Sequence, residues 1–309
     1  MRQFVTIHPE EIDEKVFCFG GEFGYGPLSW LPYLNHVAHE LGIPLRTASR
    51  PGSTPLYGYS AEHFEVPFDW RPDMFGSEDS DRFFESEFGT AAVIARNPKR
   101  SDAFALSVGG IKWEHRRIHE RLTTKNHRPL HFEADAAAFL PESKPIAIIN
   151  NKDFDNWGNT DPLLRESFTP TELVEMRNVL TEHGYFVVYH RFDEQVMESR
   201  FPLEDSGLFE GEDCLDMRAI YADAVTESDR TRRQLELYRS SDLAVCPQGG
   251  NSFLPIIFGL DTLVLMKSPR IVEYQDLARL YEARVDVHTS TALLVAALQY
   301  DATLRKAIP

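Results

Sequence analysis

Apolar and polar positions alternate most clearly in the C-terminal half of the chain. Leu243–Cys246 is an apolar run that stops at Pro247, and a polar corner with two glycines (QGGNS) follows it. The apolar residues Phe253–Phe258 come next, and a second apolar run begins at Thr262, after the stop at Gly259. This order predicts a strand, a glycine corner, a helix and a strand, which together place backbone N–H groups at the carboxyl edge of a parallel sheet.

The same pattern opens each half of the chain. The apolar run Val16–Phe19 precedes the glycine-rich stretch GGEFGYGP, and Leu28–Leu41 then carries apolar residues at helical spacing. Pro145–Asn150 begins a second series, in which strand and helix patterns alternate. We therefore predict an α/β protein with two Rossmann-like, doubly wound parallel-sheet domains, residues 1–143 and 144–309, facing each other across a cleft. The last helix is expected to pack back on the first domain.

The middle of the first half has a weaker pattern. Ile43–Ala48, Ala91–Ala95 and Ala103–Val108 are predicted strands, and Lys112–Leu122 is a predicted charged helix. Phe64–Asp81 is acidic, aromatic and interrupted by proline and glycine, so irregular structure is predicted there. No role is assigned to residues 64–101.

Helix and strand boundaries are sharper in the second half. Thr169 and Glu172 have the spacing of a capping box around Pro170, and the helix that they begin should stop at Gly184. Tyr185–His190 is a predicted strand with Arg191 at its carboxyl end. A further strand is predicted near Ala219.

Composition and charge narrow the function classes. A formal net charge of −16 argues against nucleic acid as a partner, because that binding mode requires a concentrated basic face. The three cysteines are scattered without metal-ligand spacing, which predicts reduced thiols in or near the core of a cytoplasmic protein. No signal peptide or transmembrane run is recognised, so we expect membrane contact to be at most peripheral.

The residues that end predicted strands are the candidate ligands, since ligands bind outside the carboxyl ends of parallel strands. In the second domain, Lys152 and Arg191 are cations beside the glycine corner, which suits a diphosphate that gains charge as it departs. Each cation alone is equally compatible with a solvated surface role, and the corner with a tight turn whose glycines only relieve strain. The predicted diphosphate-binding residues are Asn151, Lys152, Arg191, Gln248, Gly249, Gly250, Asn251 and Ser252.

In the first domain, the glycine-rich loop after the first strand carries Glu22. A carboxylate there would act as a general base toward an incoming hydroxyl. The alternative is that Glu22 balances the dipole of the helix that follows Pro27. Candidates for contacts to the acceptor are Gly21, Tyr25, Arg50 and Ser53.

Two further spacings are candidate metal sites. Asp153 and Asp155 form a DxD after an apolar strand, a pattern that can hold a divalent metal and a nucleotide diphosphate, but the following Asn-Trp-Gly favours a loop. His115 and His119 have zinc-compatible spacing, although the two arginines between them would repel a cation. We predict no metal site.

Taken together, these motifs resemble those of glycosyltransferases with the GT-B fold. The resemblance rests on GGEFGYGP after the first strand, PIAIINNK at the start of the second domain, and SSDLAVCPQGGNSFLPIIFG. It implies metal-independent transfer of a sugar from a nucleotide-sugar donor to a hydroxyl of a sugar or glycan acceptor, without a further cofactor. The donor would bind mainly to the C-terminal domain and the acceptor to the N-terminal one. The chain departs from the pattern in having apolar Phe253–Phe258 where a glutamate is common.

Two other functions are compatible with the same motifs. A nucleotide-sugar 2-epimerase of this fold would use the same anion-binding corner but needs no acceptor. A non-catalytic nucleotide- or sugar-binding protein would keep the fold without the chemistry, and the missing glutamate fits that alternative.

Overall fold

The chain folds into two compact units. The structure, a computed structural model, describes residues 4–20, 29–66, 78–95, 105–113, 140–141, 144–152, 167–191, 205, 207–266 and 271–307. The first unit comprises Met1–Glu133, Thr226–Arg232 and Arg279–Tyr281. The second comprises Ala134–Val225, Arg233–Ala278 and Glu282–Pro309.

The first unit contains a parallel four-stranded sheet and a smaller three-stranded one. Its strands are β1 (Phe4–Ile7), β2 (Val16–Phe19), β3 (Leu45–Ser49), β4 (Ser60–Glu65), β5 (Ala92–Ala95), β6 (Ala105–Val108) and β7 (Ile111–Trp113). Its helices are α1 (Leu31–Leu41) and α2 (Glu78–Phe88), with 3-10 turns at Pro9–Glu14, Thr54–Tyr57 and Gly89–Ala91. The larger sheet has the order β4-β3-β2-β5, and the smaller sheet the order β1-β6-β7 with only β7 antiparallel.

Hydrophobic burial explains this arrangement. Strand β2 is buried along most of its length, which requires cover on both faces, as in parallel α/β sheets. On one face, Val16 and Cys18 pack with Phe84 of α2. Helix α1 buries Leu31, Leu34 and other residues at helical spacing, and it ends at Gly42, whose φ of 65° is left-handed.

The second unit is built on one six-stranded parallel sheet. Its strands are β8 (Ile146–Asn151), β9 (Phe186–Arg191), β10 (Cys214–Asp216), β11 (Leu243–Pro247), β12 (Asp261–Leu265) and β13 (Val285–His288). Its helices are α3 (Pro170–Glu182), α4 (Met217–Tyr221), α5 (Glu227–Arg239), α6 (Phe253–Ile257), α7 (Ile271–Tyr281) and α8 (Thr291–Ala307), and α5 and α7 extend into segments of the first unit. The strand order is β10-β9-β8-β11-β12-β13.

This order is the doubly wound order of dinucleotide-binding folds, in which the chain reverses direction across the sheet between β8 and β11. Ligands of such folds bind outside the carboxyl ends of the strands at that reversal. Every residue of β8, β9 and β11 is buried, as their continuous apolar patterns predict. Helix α8 packs against α3, and Leu294 and Leu298 belong to the same apolar core as Leu173.

Most predicted elements are confirmed, including the parallel α/β class and the capping box, in which Thr169 and Glu172 bond reciprocally. Three predictions were wrong. The strand near Ala219 is helix α4, and the actual strand, β10, ends three residues earlier. Phe64–Asp81 is not wholly irregular, because β4 extends to Glu65 and α2 begins at Glu78. Lys112 and Trp113 lie in strand β7; the rest of that predicted helix falls outside the described residues.

All three cysteines are buried and unbridged, as predicted. Within the described residues, no helix combines the length and the apolar character that a membrane crossing requires.

Candidate functional site

The candidate site lies at the carboxyl ends of β8 and β11. The pairing between these strands ends at Ile149 and Val245, so the next residues occupy the reversal point of the sheet. Asn150 is 2% exposed and its amide hydrogen-bonds the Cys246 thiol. Its carbonyl oxygen has no partner in the part of the chain that the structure describes. A buried polar group of this kind calls for a ligand or a water.

Lys152 joins the end of β8 to the glycine corner, a name used here for Gln248–Ser252. Its Nζ donates to the Gln248 carbonyl over 2.6 Å. This bond places a cation against the corner.

The backbone of the corner is fixed at Gly249. Its φ of 155° and ψ of −175° are adopted almost only by glycine. Its N–H is shared between Ser252 Oγ (3.2 Å) and the Tyr274 hydroxyl (3.3 Å). Its carbonyl accepts from both the N–H (3.1 Å) and the hydroxyl (2.6 Å) of Ser252. Gly249 and Ser252 therefore bond to the protein itself.

The next two N–H groups differ. The N–H groups of Gly250 and Asn251 have no acceptor among the described residues. Neighbouring backbone N–H groups of this kind, beside the Lys152 ammonium, are suited to the oxygens of an anion. The corner can therefore bind an anion through Gly250 and Asn251, while Gly249 and Ser252 hold its shape.

Asn151 is fully buried and engaged with Phe168. Its Nδ2 donates to the Phe168 carbonyl (3.1 Å) and its Oδ1 accepts from the Phe168 N–H (2.9 Å). These two bonds hold Phe168, the residue that precedes Thr169, the N-cap of α3. In this structure Asn151 organises the strand edge.

Arg191 forms a buried ion pair. Its Nη1 lies 2.7 Å from Asp205 Oδ1, and the two side chains are 4% and 0% exposed. The Tyr189 hydroxyl also donates to Asp205. The charge of Arg191 is thus matched by Asp205 inside the second unit.

His190, the strand-end neighbour of Arg191, is buried as a neutral imidazole. Its Nδ1 lies 3.1 Å from the Tyr238 hydroxyl. Burial lowers the pKa of His190 to about 4, partly offset by Asp216. It therefore adds no positive charge near neutral pH.

In the first unit, residues 50–54, here called the β3 loop, follow β3 and include the predicted acceptor residues Arg50 and Ser53. Glu65 accepts from the Gly52 N–H (2.8 Å), from the N–H (3.2 Å) and hydroxyl (2.7 Å) of Thr54, and from the Ser228 hydroxyl (3.1 Å). Burial alone would raise the pKa of Glu65. The hydrogen bonds outweigh that effect, and the pKa lies below its ordinary value. The loop is thus held by a carboxylate.

The β3 loop also contacts His63. The His63 Nδ1 lies 2.8 Å from Thr47 Oγ1, and its Nε2 lies 3.0 Å from Ser53 Oγ. Since Ser53 Oγ donates its only proton to the Arg50 carbonyl (2.5 Å), His63 Nε2 must carry the proton. Burial lowers the pKa of His63 to about 4, although Glu65 raises it.

Several predicted residues lie outside the described residues, namely Gly21, Glu22, Tyr25, His115, His119, Asp153 and Asp155. In the ranges that are described, no three His, Cys, Asp or Glu side chains come together as a group that could hold a metal ion.

Three residues at these sites were missed by the sequence reading: Tyr274, His63 and Glu65. Tyr274 falls in a predicted helix 22 residues beyond its partner Ser252, and nothing in that helix pattern marks its hydroxyl as special. Glu65 lies within Phe64–Asp81, the segment predicted to be irregular, and His63 directly precedes it. Their i, i+2 spacing, typical of one strand face, was the available signal.

No protein-family model and no curated protein sequence matches the chain. Solved structures do match its fold. The E. coli ADP-heptose LPS heptosyltransferase II matches with a TM-score of 0.53 at 12% identity, over 94% of this chain and 99% of that one. A family 9 glycosyl transferase from Veillonella parvula matches with a TM-score of 0.55 at 12% identity, over 94% and 90%. The E. coli heptosyltransferase WaaC with ADP-2-deoxy-2-fluoro heptose matches at 0.50 and 13%, over 95% and 98%. The chain therefore has the fold of these glycosyltransferases, as predicted.

Proposed function

We propose that this protein is a glycosyltransferase that moves a sugar from a nucleotide-sugar donor to a hydroxyl of a sugar or glycan acceptor. The observation that carries the proposal is the grouping of the Lys152 ammonium with the N–H groups of Gly250 and Asn251 at the sheet reversal. A cation and backbone donors at that point suit the diphosphate of a nucleotide sugar.

The fold supports the same class of substrate. Two of the matching proteins are described as heptosyltransferases, one of them in complex with an ADP-heptose analogue. Fold alone does not assign a donor, because one fold hosts many functions. ADP-heptose is therefore the first donor to test, together with nucleotide sugars of other bases.

In the proposed reaction, the acceptor hydroxyl attacks the anomeric carbon, and the bond from that carbon to the nucleotide diphosphate breaks. Lys152 and the N–H groups of Gly250 and Asn251 would stabilise the charge that develops on the leaving diphosphate. Glu22 would take the proton of the acceptor hydroxyl. Arg191 is not assigned to the diphosphate, because Asp205 already neutralises it.

The test is a binding and product assay on the full chain. Thermal stability is measured with ADP, UDP, GDP and CDP, and with ADP-heptose, UDP-glucose and GDP-mannose, each with EDTA or with Mg²⁺. A bound ligand at 100 times its Kd should stabilise the folded protein by about 2.7 kcal/mol. We expect stabilisation by at least one nucleoside diphosphate, undiminished by EDTA.

Product analysis then separates the alternatives. A transferase supplied with donor alone should hydrolyse it slowly, whereas an epimerase should interconvert two nucleotide sugars. Binding without either reaction, also in the presence of acceptors, would indicate a non-catalytic protein. Absence of stabilisation by every nucleotide would contradict the proposal.

A further inference from the structure

Tyr274 reaches the glycine corner from helix α7. Its side chain is 0% exposed, and its ring lies 4.9 Å from the ring of Phe253, the first residue of α6. Its hydroxyl lies 2.6 Å from Ser252 Oγ and 3.3 Å from the Gly249 nitrogen. A buried tyrosine thus bonds to two residues of the corner at once.

The directions of these hydrogen bonds follow from counting protons. The Ser252 hydroxyl has one proton and donates it to the Gly249 carbonyl. The Tyr274 hydroxyl must therefore donate to Ser252 Oγ. Its oxygen remains free to accept from the Gly249 N–H. Burial raises the pKa of Tyr274 above its ordinary value, so the hydroxyl keeps its proton at any physiological pH.

These bonds decide which backbone donors face a ligand. Both polar groups of Gly249 are turned toward Ser252 and Tyr274, so its N–H is withdrawn from an incoming anion. The N–H groups of Gly250 and Asn251, which follow this fixed residue, are left for an anion. The backbone conformation at Gly249 is rarely populated and needs surrounding bonds to persist.

We infer that Tyr274 is a positioning residue for the diphosphate of the donor, acting through Ser252 and Gly249. The inference rests on the proposed function. Two side chains at the same strand edge point to a ligand independently of the backbone. Lys152 brings a cation against the corner, and Asn150, 2% exposed, leaves its carbonyl oxygen without a partner among the described residues.

The test compares Tyr274→Phe with Tyr33→Phe. Tyr33 is also 0% exposed, and its hydroxyl donates one bond, to the Ile111 carbonyl (3.0 Å), in the first unit. Both variants lose one buried hydroxyl, so both should lose a similar amount of stability. Affinities are measured by calorimetry for ADP, UDP and GDP, for the matching nucleosides, and for inorganic pyrophosphate.

Tyr274→Phe should weaken binding of the diphosphate that wild type prefers, and of pyrophosphate, about tenfold, which corresponds to about 1.4 kcal/mol. Nucleoside affinity should stay within twofold, because the corner contacts only the diphosphate. Tyr33→Phe should change neither. Ser252→Ala should reproduce the loss, and the double variant Ser252→Ala/Tyr274→Phe should be little worse than either single one, because the two hydroxyls act as one unit.

The outcomes separate the inference from the proposed function. If wild type binds nucleoside diphosphates and Tyr274→Phe binds them equally well, the inference is overturned and the proposed function stands. If wild type binds pyrophosphate but no nucleotide, the proposed function fails, and the loss of pyrophosphate binding in Tyr274→Phe still supports the positioning role. Loss of nucleoside and diphosphate affinity in equal measure would indicate general structural damage and overturn the inference. Binding of neither ligand by wild type would overturn both.

Discussion

The glycine corner and the β3 loop both follow a parallel strand, and both are held in place by side-chain hydrogen bonds, but the chemistry that holds them differs. In the corner, the neutral hydroxyls of Ser252 and Tyr274 bond to Gly249. In the β3 loop, the Glu65 carboxylate accepts from the N–H groups of Gly52 and Thr54. One support is neutral and the other is charged.

This difference determines what each region can bind. Glu65 uses two backbone donors of the β3 loop and adds a negative charge, so the backbone of that loop is unsuited to an anion. In the corner, the N–H groups of Gly250 and Asn251 have no acceptor within the described part of the chain, and Lys152 lies beside them. The comparison favours the corner as the diphosphate site. The β3 loop is then suited to bind neutral groups through its backbone, or a ligand through the Arg50 side chain.

The largest effect should come from the first half of the chain without any change in the corner. Glu22→Gln should lower kcat at least about 100-fold, because general base catalysis typically contributes that much. Donor affinity, measured by calorimetry, should stay within twofold. Equal losses of turnover and of donor affinity would contradict the assignment of Glu22 as the base.

A change at the corner should have the opposite signature. Lys152→Met keeps the length of the side chain and removes its charge and its bond to Gln248. Hydrogen bonds to charged groups contribute about 1.5 to 3 kcal/mol, so diphosphate affinity should fall about 10- to 100-fold. The control is Lys144→Met, which removes a half-exposed pair with Asp213 in the same unit. A diphosphate affinity unchanged in Lys152→Met would contradict the corner as a diphosphate site.

The sequence predicted those parts of the fold and the site that depend on neighbouring residues. The corner itself and the capping box of Thr169 and Glu172 are formed within a few positions of the chain. Long apolar strands such as β8 were also predictable, because burial on both faces leaves a continuous apolar run. The strands that were missed or misplaced, β1, β4, β7 and β10, all lie at the edge of a sheet. Of these, β4 and β10 carry charged side chains, as edge strands often do, and so lack that pattern.

Side-chain partners distant in sequence could not be predicted. Arg191 ends a strand as predicted, but its charge is matched by Asp205, which lies 14 residues further along the chain. Tyr274 contacts Ser252 only because α7 packs beside the corner. Tertiary packing decides such pairings, and a pattern of apolar positions contains no record of them.

His63, which contacts the β3 loop, should make the first unit sensitive to pH. Folding keeps His63 neutral, since burial lowers its pKa from 6.5 to about 4. As the pH falls below about 6.5, His63 binds a proton in the unfolded chain but stays neutral in the folded chain. The free energy of unfolding therefore decreases until about pH 4. Each such histidine contributes a slope of up to about 1.4 kcal/mol per pH unit.

Urea unfolding at pH 7, 6 and 5 measures this slope. His63→Gln should reduce it by about one proton, because the amide cannot titrate. The slope due to His190, whose pKa is also about 4, should remain. An unchanged slope in His63→Gln would show that His63 is not held neutral by the fold.

The smallest effect should come from removing the charge that holds the β3 loop while leaving its shape nearly intact. Glu65→Gln keeps one oxygen acceptor but presents an amide N–H₂ to one pair of donors. Glu65 is partly exposed, so after allowance for solvent screening the variant should lose about 1 kcal/mol of stability at pH 7.

Because the pKa of Glu65 is lowered in the folded state, the carboxylate stabilises the protein above its unfolded pKa, and this contribution is lost as the pH falls through the folded value. The stability difference between wild type and Glu65→Gln should therefore shrink in acid, while the affinity for nucleoside diphosphates at pH 7 stays unchanged. A higher diphosphate affinity in Glu65→Gln would mean that the Glu65 charge repels the donor. That result would contradict the assignment of the diphosphate to the corner alone.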